Sequence, residues 1–333
     1  MTLYEKLSRK PKQFLACTGM PLHLFEELLP QLADAYHHQE AQRKQHVVRT
    51  GQPRHRRPGG GGQFANDVPN RLLMLLLYYR LYLTQEFMTL LFQAGHKSVI
   101  CRAIHQMRPV FEAVLPTPER ARRRILALAK KEQERRKRIG SLDEFRDTYP
   151  ELTFIIDGTE QPKRKPQDAE KRRSHYSGKR KRHTRKQLVT TTPSGIIVDQ
   201  SPSVAGRVHD FEVFKADHAA RGVLHEFTDY RVSLYGDSGF QGMADLGLPV
   251  EVRLMARARR NHPLTTEQQQ LNRLRSHTRV RIEHTLSRRK KYRIAAEEYR
   301  NRDRDYDPTM NLVAGLVNLR AYDRIFHQTG IPI

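Results

Sequence analysis

Cysteine is nearly missing from this chain. Cys17 and Cys101 stand alone among 333 residues, and no Cys-x-x-Cys occurs. That excludes a disulfide framework and a cysteine-built structural zinc site. Long apolar runs are missing too. The longest, Leu72 to Leu83, is interrupted by Arg80 and falls short of the ~20 residues a membrane span needs. The opening residues, Met1-Thr2-Leu3-Tyr4-Glu5-Lys6, lack the apolar core of a signal peptide. Acid is scarce: 36 Asp+Glu against 60 Lys+Arg leave a formal charge of +24. Such an excess repels itself unless a polyanion is near. Nucleic acid is the expected partner. No segment supports the alternative, an anionic membrane. A soluble intracellular protein is expected.

What is present suits a folded chain. Apolar residues make up 38%, enough for a sizeable core, and the length allows two or three domains. In residues 1–45, Leu22, Phe25, Leu28, Leu29, Leu32 and Tyr36 recur at helical spacing. They predict an amphipathic packing helix, with dimer contact as its other possible role. Residues 46–66 read as a basic Gly/Pro-rich linker: Arg49, Arg54, Arg56 and Arg57 surround Gly59-Gly60-Gly61-Gly62. Successive glycines hold no packed structure.

Residues 67–116 predict a helix-turn-helix. A buried helix through Leu72, Leu76 and Tyr79 precedes a short helix capped by Thr84. A break at Gln93-Ala94-Gly95 follows, and helical spacing resumes from Ser98 to Met107. The polar start of that last helix offers His96, Lys97, Ser98, Arg102 and His105 to DNA. An ordinary three-helix packing unit is the plainer reading. Residues 117–140 predict a basic connecting helix carrying Arg120, Arg122, Arg123, Arg124, Lys130 and Lys131. It is either a solvated linker or a row of phosphate contacts.

From residue 141 strands alternate with helices. Phe154-Ile155-Ile156-Asp157-Gly158 predicts a buried strand that ends in a carboxylate, with a turn beginning there. By itself that aspartate reads most simply as a turn cap. A second strand ends in the same way, in Tyr235-Gly236-Asp237-Ser238-Gly239. A third acid, Glu283, lies in a long basic helix. The order strand-Asp, hairpin, helix, strand-Asp, strand, helix-Glu predicts an α/β (α+β overall) architecture. Its expected form is a ribonuclease-H-like domain over 141–333, with a mixed central sheet flanked by helices. Three crowded carboxylates repel unless divalent cations sit between them. Hard oxygen ligands select Mg²⁺ or Mn²⁺. Asp210 is a competing second acid, although its place at a helix start also suits an N-cap. His209 and His284 lie near these acids and read as structural or phosphate-facing. Glu160 reads as a solvated turn residue, with approach to the metals as its other role.

The stretches Ile156-Asp157-Gly158-Thr159-Glu160, Tyr176-Ser177-Gly178-Lys179-Arg180-Lys181-Arg182-His183-Thr184 and Gly206-Arg207-Val208-His209-Asp210-Phe211 occur in that order. Gly236-Asp237-Ser238-Gly239-Phe240-Gln241-Gly242 and the Glu283 segment follow. Together they resemble the IS5-type insertion-sequence transposases of the DDE superfamily, related to the Harbinger elements. The resemblance implies that Asp157, Asp237 and Glu283 are a metal-binding catalytic triad for two Mg²⁺ ions, with Mn²⁺ able to substitute. Arg279 and Lys290 stand at the Arg and Lys positions of the family signature, while Ser276 occupies its Tyr position. The resemblance further implies double-stranded DNA as partner, both terminal inverted repeats and target. Lys179, Arg180, Lys181 and Arg182 would contact phosphate. The reaction would be hydrolysis at the element ends followed by joining of 3′-hydroxyls to target DNA. It implies at least a dimer on DNA, in a bacterial cytoplasm and at the nucleoid. Two other classes stay open: a DNA-binding protein that no longer cuts, and a metal-dependent endonuclease that does not join strands.

Overall fold

A computed structural model describes residues 1–49, 67–136, 152–258 and 263–330. The chain divides into two compact units, Met1–Leu115 with Lys291–Ile294, and Pro116–Lys290 with Ala295–Ile333. The glycine run and Arg54, Arg56 and Arg57 of the expected linker lie outside the described residues, as do residues 137–151. No helix among the described residues is long and apolar enough to cross a membrane.

The first unit is helical: α1 (Leu3–Ser8), α2 (Pro11–Thr18), α3 (Leu22–Arg49), α4 (Val68–Leu81), α5 (Gln85–Phe92) and α6 (Lys97–Val114). Every side chain of α4 from Asn70 to Tyr79 is buried, so this helix is the unit's axis rather than an amphipathic surface element. The buried Arg71 of α4 donates to the Tyr36 hydroxyl at 2.8 Å and to Gln106 Oε1 at 3.1 Å. These bonds satisfy a guanidinium that would be costly to bury alone. Thr84 caps α5 by accepting from Phe87 N. The break at Gln93 is a left-handed residue with φ 50°. His96 then caps α6 through Nδ1, which accepts from Ser98 N at 3.1 Å. The last helix runs on past Met107 to Val114, through Pro109.

The second unit opens with α7 (Pro118–Arg136) and is built on a mixed sheet. The strands are β1 (Thr153–Pro162), β2 (Tyr176–Ser177), β3 (Arg182–Thr191), β4 (Ile197–Gln200), β5 (Val204–Ala205), β6 (Ser233–Gly236) and β7 (Glu251–Leu254). The main path is β2-β3-β1-β6-β7, with β4 and β5 also paired to β3. β1 is antiparallel to β3 and parallel to β6, and β7 is parallel to β6. The remaining helices are α8 (Ala169–His175), α9 (Asp210–Arg221), α10 (Thr266–Lys290) and α11 (Tyr306–Thr329).

Phe154, Ile155 and Ile156 are all buried. A strand with successive buried residues is covered on both faces. On one face Phe154 meets Phe227 edge-on, with ring centroids 4.9 Å apart, in a core shared with Val213, Phe214 and Leu234. Ala121, Ile125 and Ala129 of α7 enter the same core. Arg122, grouped by sequence with possible phosphate contacts, is buried there instead. It forms a bidentate pair with Glu226 at 2.9 and 3.0 Å and donates to Val198 O.

One expectation fails in the central strand. Asp157 does not end β1, and no turn begins at Gly158. β3 keeps pairing with β1 as far as Pro162↔Thr184, so the backbone groups beyond Asp157 stay satisfied in the ladder. The strand looked finished at Asp157 only because its apolar run stops where the parallel neighbour β6 stops.

Candidate active site

The parallel register places the first two acids. Ile155 pairs with Tyr235, the last paired position between β1 and β6. Two residues further along each chain stand Asp157 and Asp237. Neighbouring strands run about 4.8 Å apart, so both carboxylates leave the sheet side by side. Asp237 is fixed by its own turn, where Oδ1 accepts from Gly239 N at 2.7 Å. Asp157 Oδ1 accepts from Gly158 N at 2.8 Å. α10 brings Glu283, whose Oε1 lies 2.6 Å from Arg279 one turn earlier.

All three acids line a single cleft of the second unit, together with Glu160, Lys179, Arg180, Lys186, Arg207, His209, Asp210, Arg257, Arg279 and Lys290. Burial raises the Asp157 carboxyl to about 6. Its own backbone bond to Gly158 lowers it, as does Arg279, while Asp237 and Asp210 push it further up. The Arg279 guanidinium therefore acts on two of the three acids, as ion-pair partner of Glu283 and through its field on Asp157. Lys290 is held below the usual lysine range, first by burial and then by Arg180 and Arg289, against the opposing pull of Asp157 and Glu160.

Asp210 is not the N-cap. His209 caps α9, accepting from Phe211 N through Nδ1 at 3.3 Å. The Asp210 carboxylate turns toward the sheet, where it contacts Lys186 Nζ of β3 at 2.6 Å. Gly158 makes room for it: a Cβ there would stand 2.7 Å from Asp210 Oδ2. The glycine accommodates a carboxylate of the protein itself, which corrects the turn reading. Glu160 is no solvated turn residue either. It lies in β1, accepts from Thr184 Oγ1 at 2.8 Å and sits 3.8 Å from Lys186 Nζ.

Residues 156–318 match the family model described as DDE superfamily endonuclease. This part of the second unit is a DDE superfamily endonuclease domain. The chain is 25% identical over 273 residues to the probable transposase for insertion sequence element IS702 from Microchaete diplosiphon, covering 82% of this chain and 87% of that relative. No solved structure matches it. DDE endonucleases generally use divalent metal ions, and the donors gathered here suit such ions: several hard carboxylate oxygens, one of them raised by burial and by its acidic neighbours.

The remaining expected contacts fall in two places. Lys179 and Arg180 line the DDE cleft, while Lys181 and Arg182 are exposed at the tip of the β2–β3 hairpin. Lys181 is the left-handed residue of that turn, with φ 53°. His284 is exposed. His96, Lys97 and Arg102 are exposed at the start of α6, and Ser98 is half-buried beneath them. Sequence reasoning missed Lys186, Arg207 and Arg257. Lys186 carried a signal: it is a charged residue in a strand whose continuation, Gln187 to Thr191, is wholly buried, and a buried charge needs a partner.

Proposed function

We propose that this DDE enzyme is a DNA transposase. It binds the terminal inverted repeats of a mobile element, hydrolyses the phosphodiester at each end and joins the freed 3′-hydroxyls to target DNA. The observation that carries this reading is the parallel register of β1 and β6, which sets Asp157 beside Asp237 in a cleft that α10 completes with Glu283. The antiparallel set β1-β3-β4, continued by parallel β6 and β7 across β1, supports a ribonuclease-H-like domain.

In this reading Asp157, Asp237 and Glu283 hold two Mg²⁺ ions, for which Mn²⁺ can substitute. Bound there, the ions would supply charge stabilisation to the attacking and leaving oxygens of a phosphodiester. The protein's own groups do the placing. Gly158 and Gly239 fix two of the carboxylates through backbone N–H donors. Arg279 holds Glu283 ready and offsets the negative charge of the cleft. Lys179, Arg180 and Lys290 engage the DNA backbone, and Lys181 and Arg182 extend that contact along the hairpin. α5 and α6 act as the helix-turn-helix, with His96, Lys97, Ser98 and Arg102 facing the repeat. Because two ends are cut and joined, the working species is at least a dimer on DNA, in the bacterial cytoplasm.

Asp157→Asn, Asp237→Asn and Glu283→Gln test the triad. Each should abolish divalent-dependent cutting of a duplex carrying the element end and leave binding of that duplex intact. Cutting that persists in any one of them removes that residue from the triad. Pre-cut ends that are never joined to target DNA would favour an endonuclease without strand transfer.

A further inference from the structure

Three arginines crowd together on the second unit. Arg288 lies on α10, and Arg320 and Arg324 lie on α11. Arg288 and Arg324 meet at Gly195, in the turn between β3 and β4, and Arg320 stands one helical turn before Arg324. A Cβ on Gly195 would stand 2.8 Å from Arg288 Nη1 and 3.8 Å from Arg324 Nη2. Gly195 has φ +90°, so the turn leaves this space without a side chain. Arg324 Nη1 donates to Arg320 O at 3.0 Å. Its Nη2 is buried and has no hydrogen-bond partner among the described residues. Like charges also weigh on each other: Arg288 is lowered by burial, then by Arg320 and Arg281, and Arg324 is lowered to about 10 by burial, then by Arg288 and Arg320, against Asp323.

This cluster is separate from the carboxylate cleft. Arg288 is five residues from Glu283 and two from Lys290, and at about 100° per residue it points away from both. Crowded, half-buried guanidinium groups with an unsatisfied N–H are unfavourable unless an anion neutralises them. A guanidinium fork fits the oxygens of a phosphate.

We propose that Arg288, Arg320 and Arg324 form a phosphate-binding site on the side of α10 opposite the cleft, and that its ligand is a backbone phosphate of DNA. The identity of the ligand rests on the reading of this protein as a DNA-cutting enzyme, and the chain's charge of +24 favours DNA over an acidic protein segment. The site gives the enzyme a second DNA contact, on a different face from the strand being cut.

The test uses the full chain and the double variant Arg288→Gln/Arg324→Gln. Thermal midpoints are measured against inorganic phosphate at constant ionic strength. The wild type should rise with phosphate by a few degrees. The double variant should not respond, and without phosphate it should melt no lower than the wild type, since a repulsion has been removed. Binding of a linear duplex should weaken about five- to tenfold, and the slope of log affinity against log salt should fall by roughly one to two. An unchanged phosphate response overturns the site, leaving an adventitious ion only. A lower midpoint already in the absence of phosphate assigns the cluster to packing and also overturns it. Loss of the phosphate response with an unchanged salt slope overturns DNA as the ligand. If the double variant fails to fold, Arg324→Lys keeps the charge and loses the fork; an undiminished phosphate response in it counts against the site. Asp157→Asn should keep both responses, so failure of the cutting reading registers separately.

Discussion

The Asp210 carboxylate fills the space that a side chain on Gly158 would need. Its Oδ2 lies 2.7 Å and its Cγ 2.9 Å from the position of a Cβ there. Neither partner yields easily. Gly158 is paired with Leu188 in the middle of the sheet, and the short Asp210 side chain is held by Lys186 at 2.6 Å.

Gly158→Ala should therefore destabilise the protein by about 1–3 kcal/mol, the usual cost of overpacking. In an Asp210→Ala background the same change should cost less, with a coupling of about 1 kcal/mol or more. Urea denaturation of the four proteins of the cycle measures this. Additive costs would show that the two residues do not compete for the space.

Asp157 makes stability depend on pH. Its folded value of about 6 lies above the ~3.9 of an unfolded aspartate. Between those values the folded protein binds the proton more tightly than the unfolded chain. Stability should thus fall as pH rises from about 4 to about 6, and stay low above that. In chelator-treated protein, Asp157→Asn should flatten this part of the profile. It should also raise stability near pH 7.5, by up to roughly 3 kcal/mol. A variant profile that parallels the wild type would overturn the assignment.

Arg122 is 8% exposed and serves both Glu226 and Val198 O. Arg122→Ala leaves the carbonyl without its donor and frees Asp199 from a cation 3.6 Å away. A loss of about 2–3 kcal/mol is expected, discounted because Glu226 is partly exposed. Arg122→Met, which keeps most of the packing, should lose less. Equal losses in the two variants would show that charge pairing alone matters at this position.

Lys186 stands between Asp210 and Glu160. Lys186→Met should leave Asp210 and Glu160 without their shared cation and weaken the fold by about 1–3 kcal/mol. Added divalent cation should restore more stability to this variant than to the wild type, because it replaces a lost positive charge. Thermal melts with and without Mg²⁺ read the difference.

Much of this was legible along the chain. Periodic apolar residues mark α3 and α6, a dense apolar run marks α4, and Thr84 announces the start of α5, because capping and amphipathic spacing act over three or four residues. The apolar run before Asp157 announced a buried strand for the same local reason. Helices stand at the three places where the spacing expects them, and the last runs on past Met107 to Val114. β1 is also longer than expected, since its extension to Pro162 depends on β3, more than twenty residues away.

The amino-acid order by itself determined that a buried strand would carry Asp157, that a second would deliver Asp237, and that a basic helix would carry Glu283. It also determined the cationic excess, which is a matter of composition. Only the tertiary structure decided which groups meet. The register of β1 against β6 sets the two aspartates side by side. The cap supplied by His209 turns Asp210 away from the helix end and toward Gly158, and Lys186 crosses from β3 to hold it. Those choices rest on hydrogen-bond registers and ion pairs between residues distant in sequence, and local propensity carries no record of them.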